Sequence, residues 1–237
     1  MKKLISLLLT AAMLASFALT GCGSGSTETT TAEGGQTTEE TTQEETSSND
    51  KKVFVYPADQ DVSNLLPSSG GSDSVAVMYK PLYDPLYIIN NAETRYYLVD
   101  KLEVSDDGLN IKLHFNENAK WHDGEPVTVD DLLFTLKYFT EGATKTSTTY
   151  TKINGEDVVY EKVDDYNVNI TLPSYLSKFV TTLGRLCIYP EHVFNGDVTT
   201  VETSDAAMQG IGNGPFKLKE WNKGENIIYE KNTDYYR

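Results

Sequence analysis

Three histidines, two cysteines and a surplus of carboxylates are the residues of this chain whose types could do chemistry. A histidine beside a carboxylate is the commonest general base, and histidines within reach of one another hold metals. His122 and Asp123 are adjacent in the turn Trp121-His122-Asp123-Gly124, and sequence neighbours point their side chains apart. His114 falls on the polar side of an alternating stretch, facing solvent, and His192 follows Pro190-Glu191 at a helix start. No G-x-S-x-G and no H-E-x-x-H accompanies them. No catalytic residue, no metal site and no cofactor is therefore expected. Cys187 sits in the apolar run Leu186-Cys187-Ile188, the setting of a buried structural cysteine rather than of a nucleophile. Gly210-Ile211-Gly212-Asn213-Gly214 resembles a phosphate loop only loosely, since no Lys-Ser/Thr pair ends it and no apolar helix follows. Ser105-Asp106-Asp107-Gly108 reads as a tight turn, too short a set of acids for an EF-hand. The remaining paired carboxylates fall in turns and on polar faces, where a solvated role is expected.

Composition narrows the function class further. The formal net charge is −15, which argues against nucleic acid and against a protein lying flat on anionic lipid. With Cys22 accounted for below, Cys187 has no partner, so a disulfide framework and a thiolate zinc site are both excluded. Tyrosine is abundant, 15 residues against 8 Phe and 2 Trp. Tyrosine suits sugar or peptide clefts, but most of these alternate with apolar neighbours and read as core or rim.

The elements that must position these groups are legible from periodicity. Val53-Phe54-Val55-Tyr56 reads as a first strand, residues 67–72 as a Gly/Ser/Pro loop, and residues 75–82 as a helix bracketed by Pro81 and Pro85. Ile111, Leu113 and Phe115 alternate with Lys112 and His114 on a half-buried strand. Thr128 can cap a helix with Asp130 and Asp131 in its first turn, and Val129, Leu132, Leu133, Leu136 and Phe139 share one face. Two strands, residues 158–163 and 168–172, join through Asp164-Asp165. Tyr175, Phe179, Leu183 and Leu186 mark a further helix opened by Ser174, and residues 216–221 and 227–230 a hairpin turning near Lys223-Gly224. Strands and helices mix without a repeat, so the class is mixed α/β. Residues 51–237 suffice for one sizeable core or two small lobes.

The first fifty residues have another character. Lys2 and Lys3 precede an apolar run from Leu4 to Leu19, short for a membrane span. Leu19-Thr20-Gly21-Cys22 matches the lipobox of bacterial lipoproteins at every position. That likeness implies a signal peptide over 1–22, a diacylglyceryl group on Cys22, and a lipid anchor on the outer side of the cell membrane. Residues 23–50 are mostly Thr, Glu, Gly, Ser and Gln with no Lys, Arg or aromatic, and are expected to be a disordered acidic tether.

Three ordered segments carry a resemblance. Ala119-Lys120-Trp121-His122-Asp123-Gly124-Glu125-Pro126-Val127-Thr128-Val129-Asp130-Asp131, with the strand before it and the helix after it, resembles the signature of family 5 solute-binding proteins of ABC importers. Those are the oligopeptide-, dipeptide- and nickel-binding type. Upstream, Val104-Ser105-Asp106-Asp107-Gly108-Leu109 is similar to the family's preceding segment. Downstream, Gly212-Asn213-Gly214-Pro215-Phe216-Lys217-Leu218 through Asn232-Thr233-Asp234-Tyr235-Tyr236 is similar to its glycine-proline hairpin, and Tyr189-Pro190-Glu191-His192-Val193 fits as well. The resemblance implies a periplasmic-binding-protein-like type II (cluster C) fold. Lobe I would comprise residues 51–76 and 187–237, with residues 77–186 as its inserted subdomain and the second lobe missing from these 237 residues. It further implies a monomer that is not an enzyme and that hands a peptide to ABC permease subunits; nickel, heme or oligosaccharide are the other solutes of that class, and a tethered extracellular hydrolase the reading from another class. The ligand contacts it implies on this chain are Gly70, Gly71, Ser72 and Asp73, in the loop after the first strand.

Overall fold

Alternation builds the central sheet. In β4 (Asn110–Phe115) the side chains of Ile111, Leu113 and Phe115 are buried, as the sequence pattern requires. β4 pairs antiparallel with β3 (Val99–Val104) on one side and β8 (Asn167–Thr171) on the other. β7 (Val159–Lys162) completes the order β3-β4-β8-β7. Register brings Ile111 opposite Ile170 and Leu113 opposite Val168 on the core face, and Lys112 opposite Asn169 on the other. β3 and β4 are joined by the expected turn, in which Gly108 takes φ +69° and its N–H donates to Ser105 O at 2.8 Å. The computed structural model describes residues 52–58, 60–67, 73–91, 93–142 and 149–237, and these elements belong to the unit Phe54–Arg237.

Around that sheet stand α1 (Asp73–Tyr79), the hairpin of β1 (Tyr87–Asn90) and β2 (Glu93–Tyr96), the long helix α2 (Val129–Glu141) and the small hairpin of β5 (Lys152–Ile153) and β6 (Glu156–Asp157). The helix α3 (Phe179–Gly184) and the hairpin of β9 (Phe216–Asn222) and β10 (Asn226–Lys231) complete the set. The hairpin turns at residues 223–225, with Gly224 at φ +79°. Mixed α/β is therefore the observed class.

Two expected elements differ. Val53-Phe54-Val55-Tyr56 forms no strand. Phe54 and Val55 are 86% and 80% exposed, and no ladder among the described residues reaches them. Strand propensity supplies the side chains of a strand but not its partner. Helix α3 is shorter than its apolar spacing predicts: Lys178, not Ser174, is its N-cap, and Tyr175 is 66% exposed. Tyr175 instead lies against the Gly108 turn, where a Cβ would come within 2.8 Å of its ring.

Helix α2 is buried on more than its apolar stripe. Thr128 is its N-cap, and Val129, Leu132, Leu136 and Phe139 are buried as expected, with Leu133 half-buried. Phe134, Tyr138, Thr135 and Asp131 are buried too. Phe134 stacks on Phe194 at 5.9 Å between centroids, and Tyr138 tilts against Tyr189 at 5.2 Å. One turn apart, Asp131 and Thr135 face the segment 189–191, which leads into a 3-10 turn over Glu191–Phe194. Thr135 Oγ1 accepts from Tyr189 N–H, and Asp131 Oδ1 from Glu191 N–H, each at 2.8 Å.

The residues after β10 are tied down through a second buried carboxylate. Asp84 is 5% exposed, and its Oδ2 accepts from Tyr235 Oη at 2.6 Å and Tyr236 Oη at 2.8 Å. Burial raises the Asp84 carboxyl above its ordinary range, against the pull of those hydroxyls. Tyr236→Phe is expected to cost about 1.5–3 kcal/mol, the worth of one hydrogen bond to a charged group. Equilibrium denaturation of the full chain measures it.

Candidate functional site

The turn of residues 121–124 is closed by Trp121 N–H to Glu125 O at 2.8 Å and Gly124 N–H to Trp121 O at 2.9 Å, with Gly124 at φ +101°. It holds His122 against the glycine loop of residues 210–214 through three bonds. His122 N–H donates to Gly212 O at 2.7 Å, Gly212 N–H to His122 Nδ1 at 3.0 Å, and His122 Nε2–H to Gly214 O at 3.1 Å. Because Nδ1 accepts from a backbone N–H, the ring is the neutral Nε2–H tautomer. Burial lowers its pKa, with the Lys217 charge adding to that and hydrogen bonds opposing it.

Lys217 crosses from β9 and donates to His122 O at 3.0 Å, with Asp234 3.7 Å away. Together residues 120–124, Lys217, Asn232 and Asp234 line an open hollow of about 140 Å³. Its groups are already committed. Asn232 Nδ2 donates to Gly214 O at 3.1 Å, and Trp121 Nε1 to Asp131 Oδ2 at 3.1 Å. The hollow joins segments of chain and presents no nucleophile next to a base.

The glycines explain why this loop is glycine-rich. A Cβ on Gly212 would stand 1.9 Å from Leu82 O, and one on Gly214 2.7 Å from Leu82 C. Gly214 N–H donates to Leu82 O at 2.8 Å, and Asp84 N–H to Asn213 Oδ1 at 2.8 Å. The loop is a close backbone-to-backbone seam rather than a phosphate cradle.

Each candidate group has a place. Asp123 points away from His122 and meets His192 Nε2 at 2.9 Å, so the adjacent pair does not converge on one centre. His114, expected in solvent, has a side chain only 29% exposed and sits 2.7 Å from Asp100; the sheet pairs it across β3–β4. Cys187 is half-buried as a residue, and burial pushes its thiol up to about 12, the state of an inert cysteine. Among the described residues no three His, Cys, Asp or Glu side chains gather as a metal site. Cys22, Gly70, Gly71 and Ser72 lie outside the described residues, and Asp73 is the first residue of α1.

Sequence reasoning missed Asp131. A solvated, dipole-facing role was expected for it, yet it is 3% exposed. Its Oδ2 accepts from Trp121 Nε1–H and from Thr128 N–H, the latter at 2.9 Å, and its Oδ1 from Glu191 N–H. Burial pushes its carboxyl up to about 6, with these donors pulling the other way. The available signal was its position three residues after an N-cap threonine, where a side chain returns to the cap.

Comparison with known proteins agrees with this scaffold. The profile of bacterial extracellular solute-binding proteins, family 5 middle region, matches residues 93–237. The oligopeptide-binding protein AppA of Bacillus subtilis is 29% identical over 195 residues, covering 72% of this chain and 35% of that protein. Its structure in complex with a nonapeptide superposes with a TM-score of 0.61 at 27% identity, covering 76% of this chain and 36% of that one. The ABC transporter substrate binding protein CtaP of Listeria monocytogenes superposes with a TM-score of 0.67 at 28% identity, covering 76% and 36%. The chain spans between 22% and 35% of the length of such curated relatives. With the signature turn, the glycine seam and the hairpin all in the matched region, the chain belongs to family 5 of the bacterial extracellular solute-binding proteins.

Proposed function

We propose that the protein is an extracytoplasmic solute-binding lipoprotein of an ABC importer, not an enzyme, and that its solute is a peptide delivered to the permease subunits. The observation that carries this reading is the 29% identity over 195 residues to an oligopeptide-binding protein. The site chemistry supports it from the other side: His122, His192, Asp123 and Cys187 are each committed to packing or pairing. In this reading Cys22 carries the lipid that anchors a monomer to the outer face of the membrane, and residues 23–50 are its tether. Residues 51–76 and 187–237 form lobe I, with residues 77–186 as its subdomain. Gly70, Gly71, Ser72 and Asp73 bring backbone close to an extended peptide, a mode that gives affinity with little side-chain preference.

The test is native mass spectrometry of the full-length protein purified from its own cells. One peptide per protein is the expected load. A bound nickel complex, heme or oligosaccharide in its place would overturn the peptide assignment. Residues 51–237 produced alone should bind peptide weakly or not at all, because this chain spans only 35% of the oligopeptide-binding protein it resembles and hinged capture needs two walls. Tight stoichiometric binding by those residues in calorimetry would contradict this. Cys22→Ala should move the protein from the membrane fraction to the medium or periplasm.

A further inference from the structure

His122 is the one histidine among the three whose two ring nitrogens both face backbone, and in complementary roles. Nδ1 accepts from Gly212 N–H at 3.0 Å and Nε2–H donates to Gly214 O at 3.1 Å. His114 and His192 each face a carboxylate instead, at 2.7 Å and 2.9 Å. A proton added to His122 must go to Nδ1, the only ring nitrogen without one. It would turn an accepted hydrogen bond into two N–H groups pointed at each other. The loop cannot rotate its amide away while staying in place, because Gly212 and Gly214 lie directly on Leu82.

We propose that His122 is an acid-released catch: its protonation frees the glycine loop of residues 210–214 from the turn of residues 121–124 while the remainder of the fold stays closed.

The groups around the ring pull both ways: burial, the largest effect, and Lys217 disfavour a cation there, whereas the Gly214 and Gly210 carbonyls and Asp123 favour one, and the net direction is down. Lys217 from β9 is bound to His122 O at 3.0 Å and disfavours a second cation. Asp123 on the same turn favours one, but it is committed to His192. Lys120 on the turn and Asp234 beyond β10 line the hollow beside it, and from the loop side Tyr83 Oη donates to Ile211 O at 3.1 Å. Burial lowers the His122 pKa, in the same direction as the geometry. The sign follows: the closed loop holds a neutral ring below the pH at which a free histidine, near 6.5, takes its proton. Opening therefore gains one proton, and becomes more favourable as pH falls below about 6.5. Release would strip three hydrogen bonds from the seam and expose the Leu82 carbonyl, leaving the sheet order β3-β4-β8-β7 and helix α2 untouched. This inference concerns the scaffold and does not depend on the solute being a peptide.

The experiment is hydrogen exchange on the full chain, resolved at the Gly212 amide and corrected for the intrinsic pH dependence of exchange. The opening equilibrium at Gly212 should rise about tenfold between pH 7.5 and 5.5, one proton's worth, with the amides of β4 and α2 unchanged. In His122→Asn, whose oxygen can take the Gly212 N–H but does not titrate, that pH response should vanish. Equal protection of Gly212 at both pH values in the wild type, or an unaltered response in His122→Asn, would overturn the proposal. Should that variant not fold, nitrogen chemical shifts of the wild-type ring decide it: an Nδ1 protonated at pH 5.5 with Gly212 still protected excludes the catch.

Discussion

Asp131→Ala is expected to lower stability by about 3–4 kcal/mol. One carboxylate closes three segments: the indole of Trp121, the N-cap amide of Thr128 and the amide of Glu191 all donate to it. Alanine leaves one buried and two part-buried N–H groups without their acceptor, and an orphaned buried donor costs about 1–3 kcal/mol, with such losses less than additive. The adjacent Asp130 is the control. It is exposed and pairs with Lys162 at 2.7 Å, so Asp130→Ala should cost less than about 1 kcal/mol. Denaturant unfolding followed by tryptophan emission reads both, since Trp121 is 2% exposed and lies at the site. A further test uses pH. Burial pushes the Asp131 carboxyl up to about 6 from 3.8, so its folded pKa exceeds its unfolded one. Its contribution is then fully present below about pH 4 and lost as pH rises through about 6. The cost of Asp131→Asn should therefore be greater at pH 4.5 than at pH 7.5, by on the order of 1–3 kcal/mol. Equal costs at the two values would show that the three donors, not burial, control the carboxyl.

The pair Asp130-Asp131 also shows where reading from sequence ends. Strand β4, the turn before it, the strands β7 and β8 and the β9–β10 hairpin lie where alternation and turn residues put them, because those signals are local. Helix α2 was legible as a helix with a cap. Its second buried face was not, since Asp131 and Thr135 are polar and their partners, Glu191 and Tyr189, are more than 50 residues away in sequence. A periodicity argument assigns polar residues to water unless a distant donor is known. Residues 53–56 fail in the converse way: strong strand formers remain exposed where no ladder reaches them. The site divides along the same line. That His122 and Asp123 would diverge follows from adjacency, and the resemblance of residues 119–131 located the turn. That His122 would be clamped by Gly212 and Gly214, about 90 residues on, has no local signature. The glycines were visible, but the reason for them is the position of Leu82.

Gly212→Ala is expected to be as damaging, by about 3 kcal/mol or more, and it isolates that reason. The new Cβ would stand 1.9 Å from Leu82 O, 2.7 Å from Leu82 C and 3.1 Å from Leu82 Cβ. The first two are backbone atoms, which cannot swing aside as a flexible side-chain end can. Leu82 O is also the acceptor for Gly214 N–H at 2.8 Å, so moving it breaks a seam bond, and moving Gly212 breaks two bonds to His122. Overpacking of a rigid contact costs about 1–3 kcal/mol before such hydrogen bonds are counted. Backbone conformation is a separate matter, and Gly224→Ala measures it alone. Gly224 takes φ +79° with nothing within 4 Å of its would-be Cβ, so that variant should cost only about 1–2 kcal/mol. If the two substitutions prove equally mild, the loop is not pressed on Leu82 in solution. If Gly212→Ala alone is severe, it should also raise Gly212 exchange at neutral pH to the level that wild type reaches only in acid, because steric wedge and ring protonation open the same seam.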